Sequence, residues 1–392
     1  MKLIYIANLR LPTEKAYGIQ ITKMCEAFAL KGLDVTLVYP FRKNREKGDI
    51  FSYYSLKNNF RAREIRTRDF YWLGFLDKMA FIIKNYFSAK ALAREPLKEN
   101  ADIYYTRDEL VAYLLSKKNK NVIFECHRFS NKRKFLYSRF KKINLKIVAI
   151  SHGLKDDLVK FGIKDPNILV ARDGVDLDEF NINISKIDAR KKLYSELHKE
   201  AFGRKKIAIY VGQLFPWKGV SIFSETAKYL CDENVNYLLF IFGGTKIKDI
   251  NLLREELKNI EDKIHPNLVP IFFGRYFHKD IPFILKAADC AILTGNESET
   301  ISEKYTSPLK MFEYMASGCP IVAQDLPSFR EVLNENNSVF AKAGDAKDLA
   351  DKIAWVFENE NVVQGKSARA LEDVQQYTWQ KRAEKIINFI SQ

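Results

Sequence analysis

Cysteine and histidine are scarce, five of each in 392 residues. Cys25, Cys126, Cys231, Cys290 and Cys319 are scattered, odd in number and contain no CxxC pair. That pattern excludes a disulfide framework or a zinc ribbon and fits a reducing compartment. Among the histidines, His127 and His152 stand where chemistry can use them, while His198, His265 and His278 read as surface positions. No GxGxxG dinucleotide fingerprint is present. No apolar run approaches the length that spans a bilayer. Met1-Lys2 leads directly into a strand with no signal-like region, so a cytoplasmic protein is expected. Neither a solenoid-scale repeat nor a low-complexity tract is visible.

Acidic residues are missing from one half in particular. Up to Arg172 there are 35 Lys and Arg against 17 Asp and Glu, whereas the remainder holds 29 against 32. The net charge of +15 therefore belongs wholly to the first half. Two segments, Lys57–Lys98 and Arg128–Lys146, interleave bases with aromatics. One carries the run Asp69-Phe70-Tyr71-Trp72-Leu73-Gly74-Phe75-Leu76 and then Met79-Ala80-Phe81-Ile82-Ile83; the other carries Phe135, Leu136 and Phe140 among lysines and arginines. Such a surface suits an anionic membrane face. A single-strand nucleic-acid groove uses the same residue types, and a solvated helix face is a third reading.

The hydrophobic content of 47% is ample for packed cores, and the length exceeds what one core usually fills. Short β-branched strands are predicted at Leu3–Ala7, Val35–Tyr39, Ile103–Tyr105, Val122–Glu125, Ile147–Ile150 and Ile168–Val170, separated by helical periodicity. Turn residues interrupt the rhythm around Arg172–Phe180. It then restarts at Ile207–Val211, Tyr237–Phe242, Leu268–Phe272, Cys290–Leu293, Pro320–Ala323 and Val339–Phe340. This alternation predicts an α/β fold of two Rossmann-like domains, 1–172 and 173–376, each with a parallel sheet covered on both faces. Ligands of such sheets bind beyond the strand carboxyl ends, so a cleft between facing domains is expected.

The richest segment is Thr306–Val322, TSPLKMFEYMASGCPIV. Ser307 suits an N-cap and Pro308 the first helical position. Gly318 suits a left-handed terminus, and Pro320 stops the helix before the next strand. The free N–H groups and the helix dipole favour a phosphate. Lys310 and Glu313, one turn apart, would suit a diphosphate and a diol such as ribose. An ordinary capped surface helix satisfies the same signals. Gly18, after the first strand, either lets a phosphate or sugar approach the backbone or simply starts a helix. Val211-Gly212-Gln213-Leu214-Phe215-Pro216-Trp217-Lys218-Gly219 occupies the equivalent place in the second half. There Lys218, at a helix start, could neutralise a diphosphate. Phe242-Gly243-Gly244 marks a tight turn at another strand end.

With these motifs the chain resembles the retaining glycosyltransferases of family four, which have the GT-B fold. The resemblance runs through Gly18, His127, Ser151, Asp173-Gly174-Val175-Asp176, Gly212, Lys218-Gly219, Gly274 and Glu313–Pro320. It extends to a C-terminal helix, 377–392, that crosses back onto the first domain. By that resemblance Glu313 would hold ribose hydroxyls, and the loop Ser307–Lys310, including Leu309, would offer N–H groups to the diphosphate. Lys218 would neutralise the leaving group, His127 would contact the donor sugar, Gly18 would line the donor phosphate, and Gly274-Arg275 would approach the base. Two departures stand out. Gln213 replaces a common arginine, and Tyr305 replaces a glutamate eight residues before Glu313. Lys310 or Arg275 would then supply the missing charge, and Glu297, Glu299 or Glu303 the missing carboxylate.

The resemblance implies transfer of a sugar from a UDP- or GDP-type donor with retention, without metal or other cofactor. The acceptor would be a glycan or lipid-linked molecule at the cytoplasmic membrane face, in cell-surface polysaccharide or glycolipid synthesis. An epimerase or an inactive nucleotide-binding subunit is the alternative, and nucleic acid is not an expected partner.

Overall fold

The computed structural model describes all residues except 45, 47, 68–76, 119, 197–204, 231–236, 245–246, 262–269 and 275. The chain forms two units, Met1–Asp173 with Trp379–Gln392, and Gly174–Thr378.

The first unit is built on β1 (Lys2–Ile6), β2 (Asp34–Pro40), β3 (Arg61–Ile65), β4 (Ile103–Thr106), β5 (Val122–Cys126), β6 (Lys146–Ala149) and β7 (Ile168–Val170). All pair in parallel, in the order β3-β2-β1-β4-β5-β6-β7. Chain order reverses between β1 and β4, which leaves a crevice at the strand carboxyl ends. Strands β1, β4 and β5 are buried along nearly their whole length, which is why they read as continuous apolar runs. Edge strand β3 was not expected. Its sequence, RAREI, carries three charges in five residues and stays partly exposed, as edge strands commonly do.

The C-terminal helix, Trp379–Ser391, packs on the first helix, Ala16–Leu30, within this unit. Lys146 Nζ donates to the carbonyls of Phe389 and Ile390 at 2.9 and 3.1 Å. A cation there satisfies terminal carbonyls and meets the negative end of the helix dipole. The first helix begins at Ala16, two residues before Gly18.

The second unit contains β8 (Lys206–Val211), β9 (Tyr237–Phe242), β10 (Ile271–Gly274), β11 (Cys290–Leu293), β12 (Ile321–Gln324) and β13 (Val339–Ala341). Their order is β10-β9-β8-β11-β12-β13, again parallel, with the reversal between β8 and β11. Alternate residues serve two cores. Ile207, Ile209, Leu238 and Phe240 point into one, and Ala208, Tyr210, Leu239 and Ile241 into the other. The expected strand Leu268–Phe272 is shifted toward its carboxyl end, and residues 268–269 lie outside the described residues. Among the described residues, no helix is long and apolar enough to cross a membrane.

Candidate active site

The carboxyl ends of β8 and β11 are joined by short-range packing. After β8 the chain makes a 3-10 turn at Pro216–Lys218, not the helix start expected for Lys218. Gly219 follows with φ +64, and a side chain there would strike the carbonyl of Gly295, just beyond β11. Thr294 Oγ1 donates to the Lys218 carbonyl at 2.7 Å, which pins the turn to the end of β11. Gly212 N donates to Phe242 O at 2.9 Å and Gly243 N to Gly274 O at 2.6 Å, so three strand ends are laced together. Gly274, with φ +73, has no heavy atom within 4 Å of where a side chain would begin. Its neighbour Arg275 lies outside the described residues. Gln213 is half-buried, and its carbonyl accepts from Tyr210 Oη at 2.9 Å.

The helix of the TSPLKMFEYMASGCP segment runs from Leu309 to Ser317 and ends at Gly318 with φ +66. Its start corrects the expected cap by one residue. Pro308, with ψ 126, is still extended and takes the N-cap position, so Ser307 lies one residue before the cap.

Within this helix Lys310 and Glu313 are both buried, each about 6% exposed. Lys310 Nζ has no hydrogen-bond partner among the described residues and lies 4.2 Å from the centre of the Tyr210 ring. Burial, and then the nearby Lys218, hold its ammonium well below the usual lysine range, although Glu313 acts the other way. Lys218 is lowered to about 8 by burial, again against the pull of Glu313. Two ammonium groups thus share one carboxylate, an arrangement that an added anion would stabilise.

Glu313 Oε1 is bonded to His278 Nε2 at 2.9 Å, and His278 Nδ1 stands 3.7 Å from Glu179. His278, expected at the surface, instead joins two carboxylates from a 3-10 turn after β10, and no motif spacing marks it. Tyr305 is buried at the end of a π turn, Ile301–Tyr305, where the resemblance leads one to expect a glutamate. Of the proposed substitutes, Glu297 and Glu299 are exposed and Glu303 is half-buried.

In the first unit, His127 follows β5 directly. Its Nε2 lies 2.6 Å from Glu125 Oε1. Glu125 is fully buried and also accepts from Gln20 at 2.6 Å, from Arg382 at 3.3 Å and from Tyr105. Burial would raise its pKa, but Arg382 and the His127 bond override this and hold the carboxyl well below its ordinary value. Burial and then Arg107 lower His127 to about 4, so its ring is neutral near physiological pH. Gly18 has a packing explanation: a side chain there would collide with the Tyr54 hydroxyl and the Thr13 methyl. His152 is exposed at the first turn of the helix His152–Phe161, which Ser151 caps through Leu154 N at 3.2 Å.

Two parallel sheets, each with one reversal of strand order, and a lysine pair beside a carboxylate at the strand ends of the second define a two-domain α/β protein of the GT-B class. The chain belongs to the family 4 glycosyltransferases. Residues 18–179 match the family model described as Glycosyltransferase Family 4, and residues 196–377 match that described as Glycosyl transferases group 1.

A similar relative is the UDP-Gal:alpha-D-GlcNAc-diphosphoundecaprenol alpha-1,3-galactosyltransferase of Escherichia coli. It is 26% identical over 219 residues, which are 52% of this chain and 51% of that protein. Another is the processive diacylglycerol alpha-glucosyltransferase of Acholeplasma laidlawii, 25% identical, with 52% of this chain and 58% of that protein covered. The chain thus spans about half the length of the curated relatives it matches. Among solved structures, Anabaena HepE in complex with UDP and glucose has the same fold, with a TM-score of 0.74 at 14% identity. That match covers 100% of this chain and 99% of HepE.

Proposed function

We propose that the protein is a retaining glycosyltransferase that moves a sugar from a nucleoside-diphosphate sugar to a glycan or lipid-linked acceptor, without a metal. The observation that carries this reading is the buried Lys310 ammonium, without a hydrogen-bond partner among the described residues, beside Lys218 and Glu313 in the first turn of a helix. In the reaction the bond between the anomeric carbon and the diphosphate oxygen breaks, and the diphosphate leaves with the electron pair. The acceptor oxygen bonds to the same face of that carbon, and its proton passes to the departing phosphate. Lys218, Lys310 and the N–H groups of Leu309 and Lys310 take up the developing charge. Glu313 holds the ribose hydroxyls, and Gly212, Gln213, Gly274, Tyr305 and Ser307 complete the donor side. His127 contacts the sugar. Retention agrees with the α-linkages in the names of both relatives.

The acceptor reading rests on the surface of the first unit and on the two relatives named for a diphosphoundecaprenol and a diacylglycerol substrate. In the helix Asp77–Arg94 the buried face carries Ala80, Ser88, Ala89 and Leu92, while Met79, Phe81, Ile82, Tyr86 and Phe87 are exposed. Large apolar side chains facing outward near the exposed Lys90 and Arg94 suit docking on an anionic membrane at the cytoplasmic face. The aromatic run at 69–76 lies outside the described residues. A second reading, a nucleotide-sugar epimerase or an inactive nucleotide-binding subunit, is favoured by Tyr305 and Gln213 at positions where the family commonly has charge.

Thermal-shift measurements with UDP- and GDP-linked sugars, followed by NMR of the product's anomeric proton, test the transfer. Stabilisation by one donor and a retained configuration are expected; stabilisation without turnover on any lipid-linked acceptor would favour the second reading. Pelleting with anionic vesicles in graded salt tests the docking, and no binding at low salt would overturn it.

A further inference from the structure

The network behind His127 fixes more than its position. Arg107 Nη1, which can only donate, bonds Gln20 Oε1 at 2.7 Å. The Gln20 amide nitrogen must therefore face Glu125 Oε1, 2.6 Å away. On the other carboxylate oxygen, Oε2, Glu125 meets the Tyr105 hydroxyl and Arg382 Nη1. Arg382 is about 3% exposed on the C-terminal helix, and its Nε donates to the Arg172 carbonyl at 2.9 Å. Glu125, surrounded by donors, is an acceptor only. The His127 nitrogen that meets it must carry the proton, and the neutral ring is left with a bare Nδ1. That nitrogen has no protein partner among the described residues, and the side chain is about 21% exposed.

We infer that Glu125, oriented by Gln20 and Arg382, is a positioning residue that fixes the tautomer of His127. The proton stays on Nε2, and Nδ1 is held as a hydrogen-bond acceptor for a hydroxyl of the transferred sugar. The sugar contact rests on the function proposed above; the tautomer does not. The arrangement assigns His127 to accepting a hydrogen bond from a hydroxyl rather than supplying positive charge to the leaving group, which falls to the lysines of the second unit. In Glu125→Gln, Arg382 keeps the amide oxygen on its own side, so the amide nitrogen faces His127 and also Gln20, whose own amide nitrogen must turn away. The ring must then accept at Nε2 and move its proton to Nδ1.

Long-range proton–nitrogen NMR on the full chain reads this directly, with His127 identified by the resonances lost in His127→Asn. The wild-type protein is expected to show a pyridine-type Nδ1 and a pyrrole-type Nε2, exchanged in Glu125→Gln. A pyrrole-type Nδ1 in the wild type would overturn the assignment even if the variant fails to fold, and an unchanged pattern in a folded Glu125→Gln would remove Glu125 as its cause. Titration with UDP- and GDP-linked sugars, against UDP and GDP alone, should move Nδ1 only when the sugar is present. An unmoved Nδ1 in a protein that does bind the donor would break the sugar contact while leaving the tautomer standing.

Discussion

Around Glu125 each carboxylate oxygen has two donors, whereas the Lys310 ammonium lies buried against an aromatic face with no hydrogen-bond partner among the described residues. Both are charges withdrawn from water, and the difference lies in who answers them. The first unit pairs its buried Glu125 carboxylate with its own Arg382, and that pair holds a neighbour, His127, in one state. The second unit leaves two lysines to share Glu313, so its cluster becomes fully compensated only with an added anion. Internally paired charge positions, and uncompensated charge binds.

The largest expected effect breaks the first cluster. Glu125→Ala strips a buried arginine of its carboxylate and should cost about 3 kcal/mol in chemical denaturation; an unchanged midpoint would show that Asp173, 3.8 Å from Arg382, suffices alone. Glu313→Ala should weaken nucleoside-diphosphate binding about tenfold, the loss of a charged hydrogen-bond pair, while leaving the first unit's stability unaltered. Calorimetry decides both halves of that statement.

The lysines also make binding depend on pH. Lys218 titrates near 8 in the folded protein, below an unfolded lysine, because burial disfavours its charged form. Between these values the unfolded chain binds more protons, so stability rises with pH. A bound diphosphate favours the charged lysine, so affinity should fall as pH rises above 8, by up to about tenfold per unit. A flat profile from 7.5 to about 9.5 would contradict the coupling. The smallest effect is expected for His278→Ala. It removes one bond to Glu313 and should weaken nucleotide binding only about two- to tenfold, and no change would show that Glu313 needs no such support.

The parallel sheets and the segment around Glu313 were legible because buried strands are apolar runs and glycine, proline and serine mark helix ends. Strand β3 was not, because an edge strand with exposed charges has no apolar signature. The cap was displaced because Pro308 can sit at the N-cap or one place later, and only its ψ decides. His278 and Arg382 were missed for a different reason. Each acts on a residue far away in sequence, Glu313 and Glu125, and neither local period nor spacing encodes such a pair. Lys310 was suspected from its place in the first turn, but that its ammonium is buried without a hydrogen-bond partner needed the fold.

Calorimetric titration of Lys310→Met with UDP and GDP is the most direct test of the central claim. Removing a buried, unpartnered ammonium should raise the thermal midpoint of the ligand-free protein while weakening diphosphate binding roughly ten- to a hundredfold. Wild-type affinity in a folded Lys310→Met protein would contradict the assignment of this cluster to the diphosphate.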